Sequence, residues 1–207
     1  SQGEIAFTSE STQSVNAETF DEREVSAEST SGYWHYSDGT LTYNTSSSGA
    51  IDVDDLWEYD DVVTKIVIES GPTTIDGDFE DFTALTEVEY KTPVTIDDMC
   101  FIGSYLFSGC TSLKKVTIGA SDGTGLEIDG SAFYNCTSLT DVSFGKGTWH
   151  FGRNSFGNCT SLETFKFPID MHNVRGDSFR GCTSLKTLKL SDQNSYMRAA
   201  GNAIYEI

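Results

Sequence analysis

Apolar residues in the second half of the chain recur in one fixed frame. Phe107 to Ile118 reads FSGCTSLKKVTI. The frame returns as FYNCTSLTDVSF from Phe133, FGNCTSLETFKF from Phe156 and FRGCTSLKTLKL from Phe179. The cysteines Cys110, Cys136, Cys159 and Cys182 stand 26, 23 and 23 residues apart. A period in the twenties with an L-x-x-V-x-I core marks a solenoid, in which each coil leaves an apolar face that only the next coil can cover. The same segment starts earlier at Val63 (VTKIVI) and Leu85 (LTEVEY), then at Leu113, Leu139, Leu162 and Leu185, with spacings of 22, 28, 26, 23 and 23. The additional residues near Asp97 to Ser104 and Ala120 to Thr124 read as loop insertions. In FEDFTAL, Phe79 and Phe82 hold the places that Phe107 and Cys110 hold later.

A second short apolar pair precedes each phenylalanine: Thr73/Ile75, Val94/Ile96, Leu126/Ile128, Trp149/Phe151 and His172/Val174. Alternation points these inward and Thr74, Thr95, Glu127, His150 and Asn173 outward. A turn or short helix then runs through sequences such as DGSAFYNCTSL. The predicted fold is an α/β repeat solenoid: a leucine-rich-repeat-like, right-handed coil with parallel β-ladders and short helical turns. About six coils fill residues 62–207.

The flanks differ from the repeat. Residues 1–32 are rich in Ser, Thr and Glu and show no period, which predicts a solvated linker or stalk. In YWHYSDGTLTY (residues 33–43) two alternating aromatic runs flank a Ser-Asp-Gly turn, a hairpin signal. Residues 33–61 are expected to cap the raw first coil, with Trp34, Tyr36, Leu41, Tyr43, Leu56 and Trp57 as covering groups. At the other end, Ala199 aligns with Ile128, Ile204 with Phe133 and Ile207 with the ladder cysteine, and no closing strand follows. Either the chain is a fragment of a longer protein, or Tyr196 to Ile207 is a C-terminal cap.

Charge narrows the partners. The net charge of −19 is concentrated early: residues 1–61 hold 14 acids against Arg23 alone, whereas residues 99–207 hold 9 acids and 10 bases. So acidic a chain is repelled by phosphate backbones and anionic lipid, which argues against nucleic-acid binding and membrane docking. No run of 18 apolar residues is present, so no membrane insertion is expected. The opening SQGEIAF lacks the basic start and apolar run of a signal peptide, although a signal could have been removed before this chain begins.

Five cysteines are an odd number, so at least one is unpaired unless it bridges to another chain. The four in the repeat read as a ladder of small buried hydrophobes. Disulfides between neighbouring coils and metal ligation are the alternatives, the latter disfavoured by the lack of any CxxC pair or histidine cluster. Nothing in the sequence asks for a cofactor.

Catalytic patterns are sparse. Histidine occurs only at 35, 150 and 172, and no GxSxG elbow accompanies it. His172 reads as a half-buried structural residue. His150, beside Trp149, points outward toward any ligand. Glu87 and Asp141 share one outward column, but two coils and Lys115 separate them, about 10 Å at the usual strand spacing. That is a weak pair for glycan hydrolysis. Asp76, Asp78, Glu80 and Glu87 match part of an EF-hand spacing, yet Asp81 replaces the turn glycine and Phe79 and Phe82 are repeat-core positions. Asp52, Asp54 and Asp55 read as a solvated acidic loop, with loose calcium binding as the alternative. The sequons at Asn44, Asn135 and Asn158 are formal, and the last two belong to the repeat turn.

At these residues the chain resembles the BspA-like leucine-rich repeat family. Ser131-Ala132-Phe133 with Cys136 and Leu139, and Ser155-Phe156 with Cys159 and Leu162, fit that family's A-F-x-x-C-x-x-L pattern. WHYSDGTLTY followed by an acidic stretch and VTKIVIESG is also similar to the segment preceding such repeats in bacterial surface proteins. The usual proline after the strand survives only at Pro168, with Pro72 and Pro93 nearby in earlier coils. The resemblance implies a bacterial protein, secreted or at the cell surface, that adheres to host matrix or microbial surface proteins. It brings no catalytic residues.

Stacked strands would present two outward columns: Lys65, Glu87, Lys115, Asp141, Thr164, Thr187, and Val67, Glu89, Thr117, Ser143, Lys166, Lys189. The side chains are short or flexible, with no aromatic platform, which suits a modest protein contact better than a sugar-stacking site. The leading expectation is a non-catalytic surface binding and adhesion module that uses this face on an extracellular protein ligand. A structural spacer within a larger surface protein, and a solenoid-type glycan-active enzyme, are the alternatives.

Overall fold

The computed structural model of the chain describes residues 32–45, 50–69, 74–76, 79–91, 100–119, 125–200 and 203–206. Residues 1–31 of the expected linker, the pair Val94/Ile96 and residues 120–124 lie outside them. Sixteen short strands follow along the described residues: β1 (Gly32–Ser37), β2 (Thr40–Thr45), β3 (Ala50–Asp52), β4 (Lys65–Ile68), β5 (Thr74–Asp76), β6 (Glu87–Tyr90), β7 (Cys100–Ile102), β8 (Lys115–Ile118), β9 (Leu126–Ile128), β10 (Asp141–Phe144), β11 (Thr148–Phe151), β12 (Thr164–Lys166), β13 (Asn173–Val174), β14 (Thr187–Lys189), β15 (Met197–Ala200) and β16 (Ala203–Glu206).

Strands alternate between two walls. The first wall runs β1-β2-β4-β6-β8-β10, and the second runs β13-β11-β9-β7-β5-β3. All neighbours are parallel except the β1–β2 hairpin, and β12 pairs in parallel with β14. The first four L-x-x-V-x-I segments thus form the first ladder, each repeat position opposite its equivalent: Lys65↔Glu87, Glu87↔Lys115, Lys115↔Asp141; the last two pair only with each other. The hairpin turns at Asp38 (φ 48) and Gly39 (φ 76), the double positive φ that a two-residue turn needs. Strand β2 then pairs with β4, so the expected cap supplies the first strands of the wall itself.

The turns differ from the helical ones expected. On the wall carrying the phenylalanines, amides donate to the following coil: Phe79 N to Leu106 O (2.6 Å), Phe107 N to Ala132 O (2.8 Å), Phe133 N to Ser155 O (2.8 Å) and Phe156 N to Ser178 O (2.9 Å). Two residues further on, Asp81, Gly109, Asn135 and Asn158 donate to Ser108, Tyr134, Gly157 and Arg180. This third wall is a hydrogen-bonded ladder between coils. Asp81 (φ 59), Gly109 (φ 72), Asn135 (φ 59), Asn158 (φ 57) and Gly181 (φ 78) hold the left-handed conformation once per coil. Gly, Asn and Asp adopt it at lower cost than other residues. Tyr105 (φ 64), Ser131 (φ 59) and Asn154 (φ 50) add a second left-handed residue to three of these turns; such residues interrupt a right-handed helix, and the amides find acceptors in the next coil instead. Among the described residues the only helix is a 3-10 segment, Asp54–Tyr59.

The core lies between the walls. Phe79, Phe107, Phe133, Phe156 and Phe179 stack with ring centroids 5.4–5.5 Å apart and interplanar angles of 7–11°. Trp34 closes this column edge-on to Phe79 at 5.6 Å. Leu41, Tyr43 and Leu56 are buried as expected of the cap, but Trp57 is 67% exposed and covers nothing. Its 3-10 segment buries Leu56 and Tyr59, which turns Trp57 and Glu58 between them outward.

Three further expectations change. The second-wall strand between β5 and β9 is Cys100–Ile102, so part of the supposed insertion at Asp97 to Ser104 is a rung. In β11 the register shifts between Thr148 and His150, so buried Thr148, not Trp149, stands opposite Leu126. Near β13 it is Met171 that is fully buried, while His172 is half-buried, as expected of it. At the end of the chain β15 and β16 pair antiparallel, with Ala199 opposite Ile204. Those residues are hairpin partners, not successive sides of the last coil. Buried Asn194 ties the hairpin down, donating to Ile169 O (2.9 Å) and Met171 O (2.8 Å) while its Oδ1 accepts from the amides of Tyr196 and Met197.

Candidate functional site

Pairing of β4, β6, β8 and β10 places the two expected columns side by side as far as Asp141 and Ser143, whereas Thr164, Lys166, Thr187 and Lys189 stand on β12 and β14, a separate parallel pair that is not bonded to β10. Their ends differ. Lys65 Nζ lies 3.3 Å from Glu87 Oε1 and 3.5 Å from Glu89 Oε2, and Lys115 Nζ lies 3.4 Å from Glu87 Oε1. Desolvation pushes the Glu87 carboxyl up, but hydrogen bonds and charge from Lys65 and Lys115 together hold it below its ordinary value. A carboxylate so held is a poor proton donor, which weakens its pairing with Asp141 as an acid–base couple. Val67, expected to face a partner, is 6% exposed and is not available to one. It sits between Thr42 and Glu89 on its neighbours.

Further along, Lys115, Asp141, Ser143, Thr164, Lys166 and Lys189 are exposed, with Thr117 and Thr187 half-buried. Lys166 and Lys189 stand directly opposite each other on β12 and β14. Neither has an acidic partner among the described residues, and like charges directly opposite cost stability. The face is therefore neutralised internally at its N-terminal half and carries an open pair of cations at its C-terminal half.

Two surfaces outside these columns carry aromatic side chains. On the second wall Trp149 stacks on His172 (4.6 Å, 29°), which meets Tyr196 at 4.7 Å. His150 is opposite Glu127, whose carboxyl is raised by burial against the pull of that histidine. On the third wall Tyr105 and Tyr134 flank a groove. Neither group was legible from periodicity, because the β11 bulge creates the first and left-handed turns the second.

The ladder cysteines are free. Each thiol donates to the carbonyl of the phenylalanine one coil earlier: Cys110 to Phe79 (3.2 Å), Cys136 to Phe107 (3.2 Å), Cys159 to Phe133 (3.3 Å) and Cys182 to Phe156 (3.0 Å). Burial pushes the Cys136 thiol up to about 12 and Cys110 well above its ordinary value. Such thiols are inert packing groups. Among the described residues no group of three His, Cys, Asp or Glu is placed to hold a metal. The EF-hand spacing dissolves: Asp76 ends β5, Phe79 and Phe82 are core, and Asp78 lies outside the described residues. The amide of Asn158 donates to Tyr134 Oη (3.0 Å) and Asn135 Oδ1 (2.9 Å), which gives the two repeat sequons their structural use.

Stacked parallel ladders around a single apolar core define a solenoid repeat protein. The chain belongs to the BspA type leucine-rich repeat family, whose repeat region matches residues 77–201 in six copies. Among solved structures it is similar to a leucine-rich repeat protein from Eubacterium ventriosum ATCC 27560, with 16% identity, a TM-score of 0.62, and coverage of 86% of this chain and 46% of that one. A leucine-rich cell surface protein from Faecalibacterium prausnitzii A2-165 matches with 16% identity and a TM-score of 0.48 over 89% of this chain and 59% of that one. The T. pallidum leucine-rich repeat protein matches with 19% identity and a TM-score of 0.45 over 79% and 70%. The chain thus spans less than half the length of the E. ventriosum protein. At these identities the likeness concerns the fold. No curated protein matches the sequence.

Proposed function

We propose that the chain is a non-catalytic binding module, secreted or displayed at a bacterial cell surface, which docks an acidic patch of an extracellular protein on the β12–β14 pair that follows the first wall. The observation that carries this reading is the opposed pair Lys166 and Lys189, exposed and without acidic partners among the described residues. Elsewhere on the same face the lysines are engaged with Glu87 and Glu89. Two like charges held side by side by the backbone gain from a complementary anion, and such complementarity sets specificity and association rate. The surface location and the class of partner, host matrix or microbial surface protein, rest on the family resemblance.

The test is a surface-binding assay of the purified chain against immobilised extracellular matrix and microbial surface proteins. For a protein that binds, the double reversal Lys166→Glu/Lys189→Glu is expected to weaken binding by about tenfold or more and to flatten its salt dependence. Unchanged affinity and salt dependence place the contact on another face. A spacer role has one observation in its favour, the hydrogen bonds that the turn amides from Phe79 to Asn158 make to the following coil, which resist bending between those coils.

A further inference from the structure

The third wall carries a groove of about 580 Å³ lined by Tyr105, Ser131, Tyr134, Asn154, Asn158 and Arg180. The geometry points to a binding site for a carboxylate-bearing sugar, a uronic-acid type pyranose, in this groove. It is independent of the strand-face reading, because none of these residues belongs to the first wall.

The groove is built by the repeat. Tyr105, Ser131 and Asn154 occupy one position, two residues before each ladder phenylalanine, and all three are left-handed (φ 64, 59 and 50). Asparagine adopts that conformation readily, and a tyrosine does so at a cost. Tyr105 is nevertheless 53% exposed and lines the groove. Tyr134, Gly157 and Arg180 occupy the position just after the phenylalanine. Glycine between them leaves the space over which the Tyr134 ring leans: a Cβ on Gly157 would come within 2.8 Å of Tyr134 Cδ2. Asn158 donates to the Tyr134 hydroxyl and fixes it, leaving the phenolic proton free to donate outward.

The chemistry of the lining then selects the occupant. The volume lies within the range of small-ligand sites, about 300–1,000 Å³. Two tyrosine rings offer amphipathic surfaces for the C–H face of a pyranose. Ser131 and Asn154 offer paired donors and acceptors at the spacing of successive coils, suited to adjacent hydroxyls. Arg180 is exposed and forms no ion pair among the described residues, whereas nearby Arg153 is bound to Asp177 at 3.0 Å. A guanidinium left open in so acidic a chain presents a fork suited to a carboxylate. The carboxylate on an acidic peptide shares the last feature but has no use for the tyrosine and hydroxyl-binding array.

The test is an amide-resolved NMR titration of the full chain with methyl glucuronide, methyl glucoside and an N-acetyl aspartate amide. The expected result is saturable shifts at Tyr105, Ser131, Asn154 and Arg180 with the glucuronide, and binding about tenfold weaker for the glucoside. Arg180→Gln is expected to abolish the preference between the two sugars. Tyr105→Asn, which suits the left-handed backbone, is expected to weaken both without lowering the thermal midpoint. Lys166→Glu is expected to alter none of this. No saturable shift up to about 50 mM sugar, weaker than any useful monosaccharide site, overturns the inference. So do equal binding of the two sugars, tighter binding of the aspartate amide, or shifts centred on another wall.

Discussion

Replacing Phe133 with alanine is expected to cost about 3–5 kcal/mol, the usual loss for truncating a fully buried phenylalanine. Phe133 is completely buried and sits mid-column, stacked on Phe107 at 5.4 Å and on Phe156 at 5.4 Å. The cost combines lost apolar burial, two lost ring contacts of about 0.5–1.5 kcal/mol each, and a void that rigid ladders on either side cannot close. The carbonyl that Cys159 bonds also belongs to this residue, so any backbone shift that filled the void would stretch that contact. Urea unfolding followed by circular dichroism reads the change. Phe133→Leu, which keeps most of the volume, is expected to lose much less. A loss below about 1 kcal/mol for the alanine variant would mean that the phenylalanine column is not the core of the stack.

Gly119→Ala is expected to be the most damaging small change outside that column, at about 1–3 kcal/mol. A Cβ at this position meets the backbone carbonyl oxygen of Lys91, with the Lys91 carbonyl carbon 2.8 Å and the Tyr90 oxygen 3.3 Å away. The atoms in the way are backbone, so no rotamer relieves the overlap. The amide of Gly119 also donates to Tyr90 O at 2.7 Å, the bond that carries the first ladder past the end of β8. Adding one methyl therefore forces two coils apart at a hydrogen bond. Gly176→Ala is the control: nothing stands within 4 Å of its added Cβ, and the restricted unfolded chain makes a neutral or slightly stabilising result the expectation. Equal midpoints for the two variants in thermal unfolding would show that the close approach at Gly119 does not matter.

The fold was legible in the sequence wherever a side chain had to be apolar in every coil. Phe107, Cys110, Leu113, Val116 and Ile118 and their equivalents meet the same neighbours one coil up and one coil down, so the same residue types recur and the period shows. The third wall was not legible in the same way. Asp81, Gly109, Asn135, Asn158 and Gly181 are residues that also end helices and start turns. Only the partners of the Phe and Asn amides, which lie in another coil, distinguish a ladder from a helical turn. The misplacement of Trp149 has a similar origin, since a one-residue bulge moves a strand's side chains to opposite faces without changing the apparent alternation.

The candidate surface was legible as positions and not as energies. Repeat counting located Lys166 and Lys189, and it listed Lys65, Glu87, Glu89 and Lys115 as equals of them. Only the three-dimensional distances show that the latter four satisfy one another. Val67 passed as exposed because alternation assigns a face but does not measure what neighbouring side chains cover. Tyr105 and Arg180 stood outside every strand, so no periodic argument could gather them.

The measurement that bears most directly on the whole is native-state hydrogen exchange at the turn amides. If the turn ladder bonds coil to coil as the strand ladders do, the amides of Phe107, Gly109, Phe133, Asn135, Phe156 and Asn158 exchange as slowly as those of β8 and β10, and they lose protection together with them on adding denaturant. Exchange of these six amides near the rate of an unstructured chain, beside protected strands, would contradict it. The groove of the third wall would then have no rigid floor, and the solenoid would be held on two sides only.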